Sequence, residues 1–251
     1  MQVSRIAHLS LAPILLLATL ASPAQTPQPE RKLAPTVSAA TLVIPAKAWK
    51  HLALAIAADH ASRDQDCDRE IAKALQIAPR FAQAYHLRAI RSLRARLFQP
   101  ALDDALHVQH IDPHSPWLST TLAGALNGLN RPGDALQILN TLQGPEAQAW
   151  QPAFERARAY IALKDTEAAL AASAQALALA PPDHIDAHIL RADALLLAQR
   201  TPEAIAQLHL YLANSQPQEH HDEVLTRLRA AQTNPSTALL AVDAPQPATL
   251  P

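Results

Sequence analysis

The chain has 251 residues, 49% apolar and 4% aromatic, with only four glycines. That is enough apolar material for a continuous core of one large or two modest domains, but it has too little aromatic and β-branched character for a sheet sandwich, and its alanine-rich balance favours close-packed helices. With 21 basic against 22 acidic residues there is no broad positive field to hold a phosphate backbone, which excludes nucleic acid as the expected partner.

In chain order, Arg5 precedes an apolar run, Leu9 to Ala21, that ends in Ser22-Pro23-Ala24. A charged start, a short apolar middle and a small-residue cleavage site make a secretory signal; the run falls short of the roughly 20 residues a bilayer span needs. Residues 1–24 are therefore expected to be a cleaved signal, with an uncleaved anchor as the rival reading, and the cleaved product a periplasmic or secreted protein without an integral membrane span. Residues 25–46 carry Pro27, Pro29, Pro35 and Pro45 and read as a proline-rich linker. Its patch from Thr41 to Ile44 either lies against the first repeat or stays solvated. Cys67 is the sole cysteine, so no internal disulfide forms, and its place among small residues marks a buried, inert thiol.

From Ala46 to about Ala231 the pattern is helical and repeats. Ala55, Ala89, Ala123, Ala157 and Ala192 form one ladder, and Cys67, Ala101, Ala135, Ala169 and Ala204 a second; both keep a 34-residue interval with a shared one-residue slip before the fifth copy. A slip within a helix would rotate one face alone, so the extra residue belongs in the loop at Pro181-Pro182, where insertions cost little. Pro79, Pro113 and Pro181 follow predicted helix ends. Ser115-Pro116 and Thr201-Pro202 read as hydroxyl caps with proline in the first turn, and Gly144-Pro145 as a tight stop that bends the stack at the third copy. A period of 34 with helix-forming composition is the mark of a stacked two-helix solenoid.

The runs from Cys67 to Pro79, CDREIAKALQIAP, and from Ala169 to Pro181, ALAASAQALALAP, resemble tetratricopeptide repeats. Ile71, Leu139 and Leu208 fill the family's large apolar place, and Tyr85 and Tyr160 its first-helix aromatic. Ala105 and Ser173 are small at the former place, His51 and His188 replace the aromatic, and Ala147 stands where a closing proline is usual. The resemblance covers about 170 residues. It implies an all-α, right-handed α-solenoid of about five stacked helix-turn-helix repeats over residues 47–232. A capping helix from Glu219 to Ala231 would turn Val224, Leu225 and Leu228 inward and its Glu, Asp and Arg to water. The proline- and alanine-rich tail, 233–251, is expected to be disordered.

The resemblance also implies a non-catalytic module or assembly scaffold that holds a protein or peptide on the concave stripe of its first helices. The register puts Trp49, Ile56, His86, Ile90, Arg94, Trp117, Thr120, Phe154 and Arg158 there, an apolar and weakly basic surface with the aromatic and arginine anchors that interfaces favour. The repeat surfaces also allow self-association. The catalytic alternative is a metal-dependent or hydrolytic enzyme using His107, His110 and His114 beside Asp103 and Asp112, with His184, Asp186 and His188 as a second group at ligand-like spacing. On the repeat register His107 and His110 fall on the outer side of a second helix, and no phosphate loop, GxSxG elbow or HExxH is present. No metal and no cofactor are expected. Arg88, Arg91, Arg94 and Arg96 give the second copy a basic character, either a solvated face or a pocket for an acidic group. Arg88, Arg156 and Arg191 recur just before a ladder alanine as a structural habit.

Overall fold

The computed structural model describes residues 44–115, 117–215 and 221–233; the expected signal, the linker up to residue 43 and the tail beyond Thr233 lie outside them. Among the described residues there are twelve helices and no strand. Ten form five hairpins: α1 (Ala46–His60) with α2 (Asp64–Ile77), α3 (Ala82–Arg94) with α4 (Phe98–Ile111), α5 (Leu118–Gly128) with α6 (Pro132–Leu139), α8 (Trp150–Ala162) with α9 (Thr166–Leu179), and α10 (Asp186–Leu197) with α11 (Thr201–Asn214). A single turn, α7 (Gly144–Ala147), links the third and fourth, and α12 (His221–Thr233) follows the fifth. Each second helix packs on the next first helix, and first helices from the second copy to the fifth touch one another. This is an α-solenoid of helix-turn-helix repeats.

All ten ladder positions are fully buried. A β-carbon at the crossing point lets paired helices approach closely, and burying it costs almost no side-chain entropy. The hairpin turns repeat as faithfully. Seven residues after each first-helix alanine the backbone turns left-handed, at Ser62, Arg96, Asn130, Lys164 and Gln199, with φ between 53° and 60°. The next amide reaches back five residues, Arg63 to Ala58, Leu97 to Ser92, Arg131 to Leu126, Asp165 to Tyr160 and Arg200 to Leu195, at 2.8–2.9 Å. These are Schellman closures, which satisfy carbonyls the helix end would leave open. None of the five uses the glycine that this backbone conformation favours.

Second helices begin with side chains that serve the turn. Arg131 donates to Asp134 at 2.7 Å and Arg200 to Glu203 at 2.6 Å, holding an acid over the amide-rich first turn, while the Asp165 carboxylate accepts from the Ala168 amide at 3.2 Å. Thr201 is thus the first helical residue rather than the cap, and Arg200 precedes it. Ser115 is no cap either: α5 starts later, after Trp117, whose φ is 64°. In the third copy the stop comes early. Helix α6 has 8 residues where every other second helix has 14. Thr141 Oγ1 folds back on the Ile138 carbonyl at 2.7 Å, and the left-handed Gly144 before Pro145 keeps the chain from resuming that helix. The extra residue before the fifth copy falls in the loop between Leu179 and Asp186, as its ladders require.

The stack closes differently at its two ends. Register positions that carry Ala84 and Leu87 in the second copy, packed on the first, carry exposed Lys50 and Ala53 on α1. Ile44 packs against that first apolar cluster beside Trp49. At the other end α12 covers α10 and α11 with Val224, Leu228 and Ala231. Of its two arginines Arg229 is exposed, but Arg227 is buried and donates to Asp193 at 3.2 Å and to Glu223 at 2.8 Å. A buried guanidinium is tolerable only with such partners.

Candidate functional site

The first-helix stripe resolves into two halves. In the first copy Trp49 is half-buried and meets Phe81 edge-on, ring centroids 4.6 Å apart, within the cluster of Ala48, Leu52 and Ala78. It seals the joint between copies one and two. Ile56 is 41% exposed, and Ile90 is half-buried. Arg94 donates to Asp59 at 2.8 Å, and the same carboxylate accepts from Arg91 at 2.8 Å; Arg91 also reaches Asp64 and Asp68, at 3.1 and 3.0 Å. Burial pushes the Asp59 carboxyl up, but hydrogen bonds from Arg94 and Arg91 outweigh it and hold the group below its ordinary range. The basic character of the second copy is therefore largely spent on ion pairs with its neighbouring carboxylates. Arg88 makes a bidentate pair with Asp104, both contacts 2.7 Å.

His86 stands in the middle of the stripe. Burial lowers its pKa, so the ring is neutral near pH 7. Thr121 Oγ1 donates to the Trp117 carbonyl at 3.1 Å and accepts from His86 Nε2 at 2.9 Å, tying α3 to the start of α5.

Copies three and four hold the other half. Trp117 is 40% exposed on a left-handed backbone, a costly conformation for a bulky residue. Thr120 is half-buried, with its hydroxyl sealed and unpartnered among the described residues. Phe154 is half-buried, edge-on to Trp150 at 5.9 Å. Arg158 donates to both oxygens of Glu155 at 3.1 and 3.2 Å. Two residues that the register alone did not single out complete this surface. Asn127 Nδ2 donates to the Glu155 carbonyl at 2.9 Å and to its carboxylate at 2.8 Å. Gly124 lies beneath: a β-carbon there would come within 3.3 Å of Glu155 Oε1 and of Leu93 Cδ1. The available signal was that α5 carries two glycines, Gly124 and Gly128, where no other first helix has any. Neither arginine of the stripe is a free cation, so the surface is less basic than its sequence implies.

The other candidates disperse. His107 packs tilted against Tyr85 at 4.2 Å, His184 against Trp150 at 4.3 Å, and His188 bonds Gln207 at 2.8 Å. Among the described residues no three histidine, cysteine or carboxylate side chains converge as a metal site would need. Cys67 is buried, and desolvation raises its pKa, the opposite of an activated thiol. Arg156 donates to the Leu139 carbonyl at 2.8 Å, and Arg191 to the Leu170 carbonyl at 2.7 Å and Ser173 at 3.1 Å, so both brace a first helix against the preceding second helix. No helix among the described residues is long and apolar enough to cross a membrane.

This arrangement, paired helices stacked in register, defines the class: the chain has the tetratricopeptide-repeat fold. Among solved structures it is similar to TTC0263, a thermophilic TPR protein of Thermus thermophilus, at 22% identity over 74% of this chain and 98% of that one, TM-score 0.59. It is likewise similar to PilW, a widely conserved type IV pilus biogenesis factor, at 18% identity over 78% of this chain and 90% of that one, TM-score 0.59. No protein-family model matches the chain, and no curated protein does.

Proposed function

We propose that the chain is an exported, non-catalytic binding module or assembly scaffold that holds a protein or peptide segment along the first-helix stripe of its third and fourth copies. The observation that carries this is Trp117, whose large ring stands 40% exposed on a left-handed backbone. Strain of that kind is kept where it serves a contact, and tryptophan is among the residues that anchor interfaces. Phe154 lies on the same stripe one copy on and supplies a second apolar anchor. Because Arg94 and Arg158 are already paired, the partner is read through apolar contacts and hydrogen bonds rather than by an acidic group. Export rests on the leader, Arg5 followed by Leu9 to Ala21. PilW, of like fold, is a pilus biogenesis factor, and a corresponding part in assembling a larger structure is the role we assign here.

Affinity capture from the native envelope fraction tests this, with wild type beside Trp117→Ala and Phe154→Ala. Each variant should keep its helical content and lose the specific partner by about tenfold, the effect of an anchor worth about 1–2 kcal/mol. Undiminished capture by both moves the binding surface elsewhere.

A further inference from the structure

One set of four register positions is filled in the second copy and open in the third. In the second copy Tyr85 packs against His107, ring centroids 4.2 Å apart and planes tilted by 53°, Arg88 lies 5.2 Å from the Tyr85 ring centre, and Arg88 pairs with Asp104 at 2.7 Å. Thirty-four residues later the same positions hold Ser119, Thr141, Leu122 and Ile138. These four line an open cleft of about 350 Å³ whose rim includes Gln109 and Gln137. Elsewhere the first of these positions carries a ring that bonds within the copy, His51 to Glu70 at 2.6 Å and His188 to Gln207 at 2.8 Å, or else fully buried Ala153. The early end of α6 keeps the site uncovered, since Thr141 has already left the helix.

We propose that this cleft receives a tyrosine side chain from a partner polypeptide, which supplies in trans the ring that Tyr85 supplies in cis one copy earlier. The size is right: an apolar cavity of about 150 Å³ already holds benzene, so the larger cleft takes a phenol and the main chain that bears it. The chemistry is right as well. Leu122 and Ile138 offer an apolar floor, whereas Ser119, Thr141 and the two glutamines offer neutral hydrogen-bonding groups for a phenolic hydroxyl. No charged residue lines the cleft, so an ionised ligand group would be buried without a counter-charge. The site is separate from the first-helix stripe and stands or falls independently of it.

Methyl NMR of the full chain with Ac-Ala-Tyr-Ala-NH2, Ac-Ala-Ala-Ala-NH2 and p-cresol decides the matter. The tyrosine peptide and p-cresol should shift the methyls of Leu122, Ile138 and Thr141 saturably, with dissociation constants of about 1 mM, and the alanine peptide should not. Ser119→Tyr fills the cleft from one wall and Thr141→His from the other. Either should weaken both ligands at least tenfold while the far-UV spectrum stays helical, and one suffices if the other does not fold. Shifts that survive in the folded variants, or that fall on other residues, overturn the proposal. So does binding of p-cresol without the tyrosine peptide, which would mark a small-molecule site.

Discussion

Gly128 offers the sharpest test of how the copies are spaced. It ends α5, and a β-carbon built there would lie 2.1 Å from Phe98 Cδ1, 2.3 Å from Cγ and 2.4 Å from Cε1. Rotating the ring about χ2 leaves Cγ where it is, so only a change in χ1 or a backbone shift clears the contact. Phe98 opens α4 of the preceding copy and is half-buried. Driving it outward forfeits part of the roughly 1.5–3 kcal/mol that burying such a ring provides. Overpacking typically costs about 1–3 kcal/mol, and alanine's better helix propensity returns up to about 1 kcal/mol. Gly128→Ala should therefore lose about 1–2 kcal/mol, roughly 2–8 °C in Tm for a chain of this length. Urea unfolding followed by far-UV circular dichroism gives the number, and a double-mutant cycle gives the cause. If the ring is responsible, Gly128→Ala should cost nothing further in a Phe98→Ala background. A stabilised Gly128→Ala, or additive losses, would refute the packing described for this joint.

Three further outcomes are expected. Ala157→Leu, at a fully buried ladder position of the fourth copy, should cost about 1–3 kcal/mol by overpacking, and an unchanged melting temperature would count against the register. Lys164→Gly should raise stability by up to about 1 kcal/mol, because relief of the left-handed backbone outweighs the entropy glycine loses on folding; Lys164→Val should lower it, and thermal melts of the pair read the difference. Asp59 is held below its ordinary pKa in the fold, so its stabilisation is complete above the unfolded value of about 4 and disappears as pH falls through the folded one. Melting temperature measured from about pH 6 to about pH 3 should drop less in Asp59→Asn than in wild type.

The repeat was legible because its contact points are chemically simple. A small residue is demanded wherever two helices cross, so both ladders and the shared slip could be read as spacing before any partner was known. Partners far along the chain were not legible. Arg227 looks like a solvent-facing residue of a capping helix until Asp193, 34 residues earlier, lies beside it. Ser115-Pro116 carries a good start signal that loses to the left-handed Trp117. The hairpin turns were hidden for a different reason. Ser62, Arg96, Asn130, Lys164 and Gln199 share a conformation and no chemistry, and the absence of glycine removed the usual cue. On the stripe, Trp117 is 40% exposed, whereas Trp49 seals a joint and Arg94 and Arg158 are already paired. Those distinctions depend on Phe81, Asp59 and Glu155, which lie outside the stripe's own periodicity.

The short α6 makes the array mechanically uneven. It buries only Ala135 and Leu139, where α4 in the copy before buries five residues, and in a solenoid each boundary is only as strong as its two nearest neighbours. The segment between Leu139 and Trp150 holds only the single turn α7, so a change of length there leaves both alanine ladders and every full helix intact.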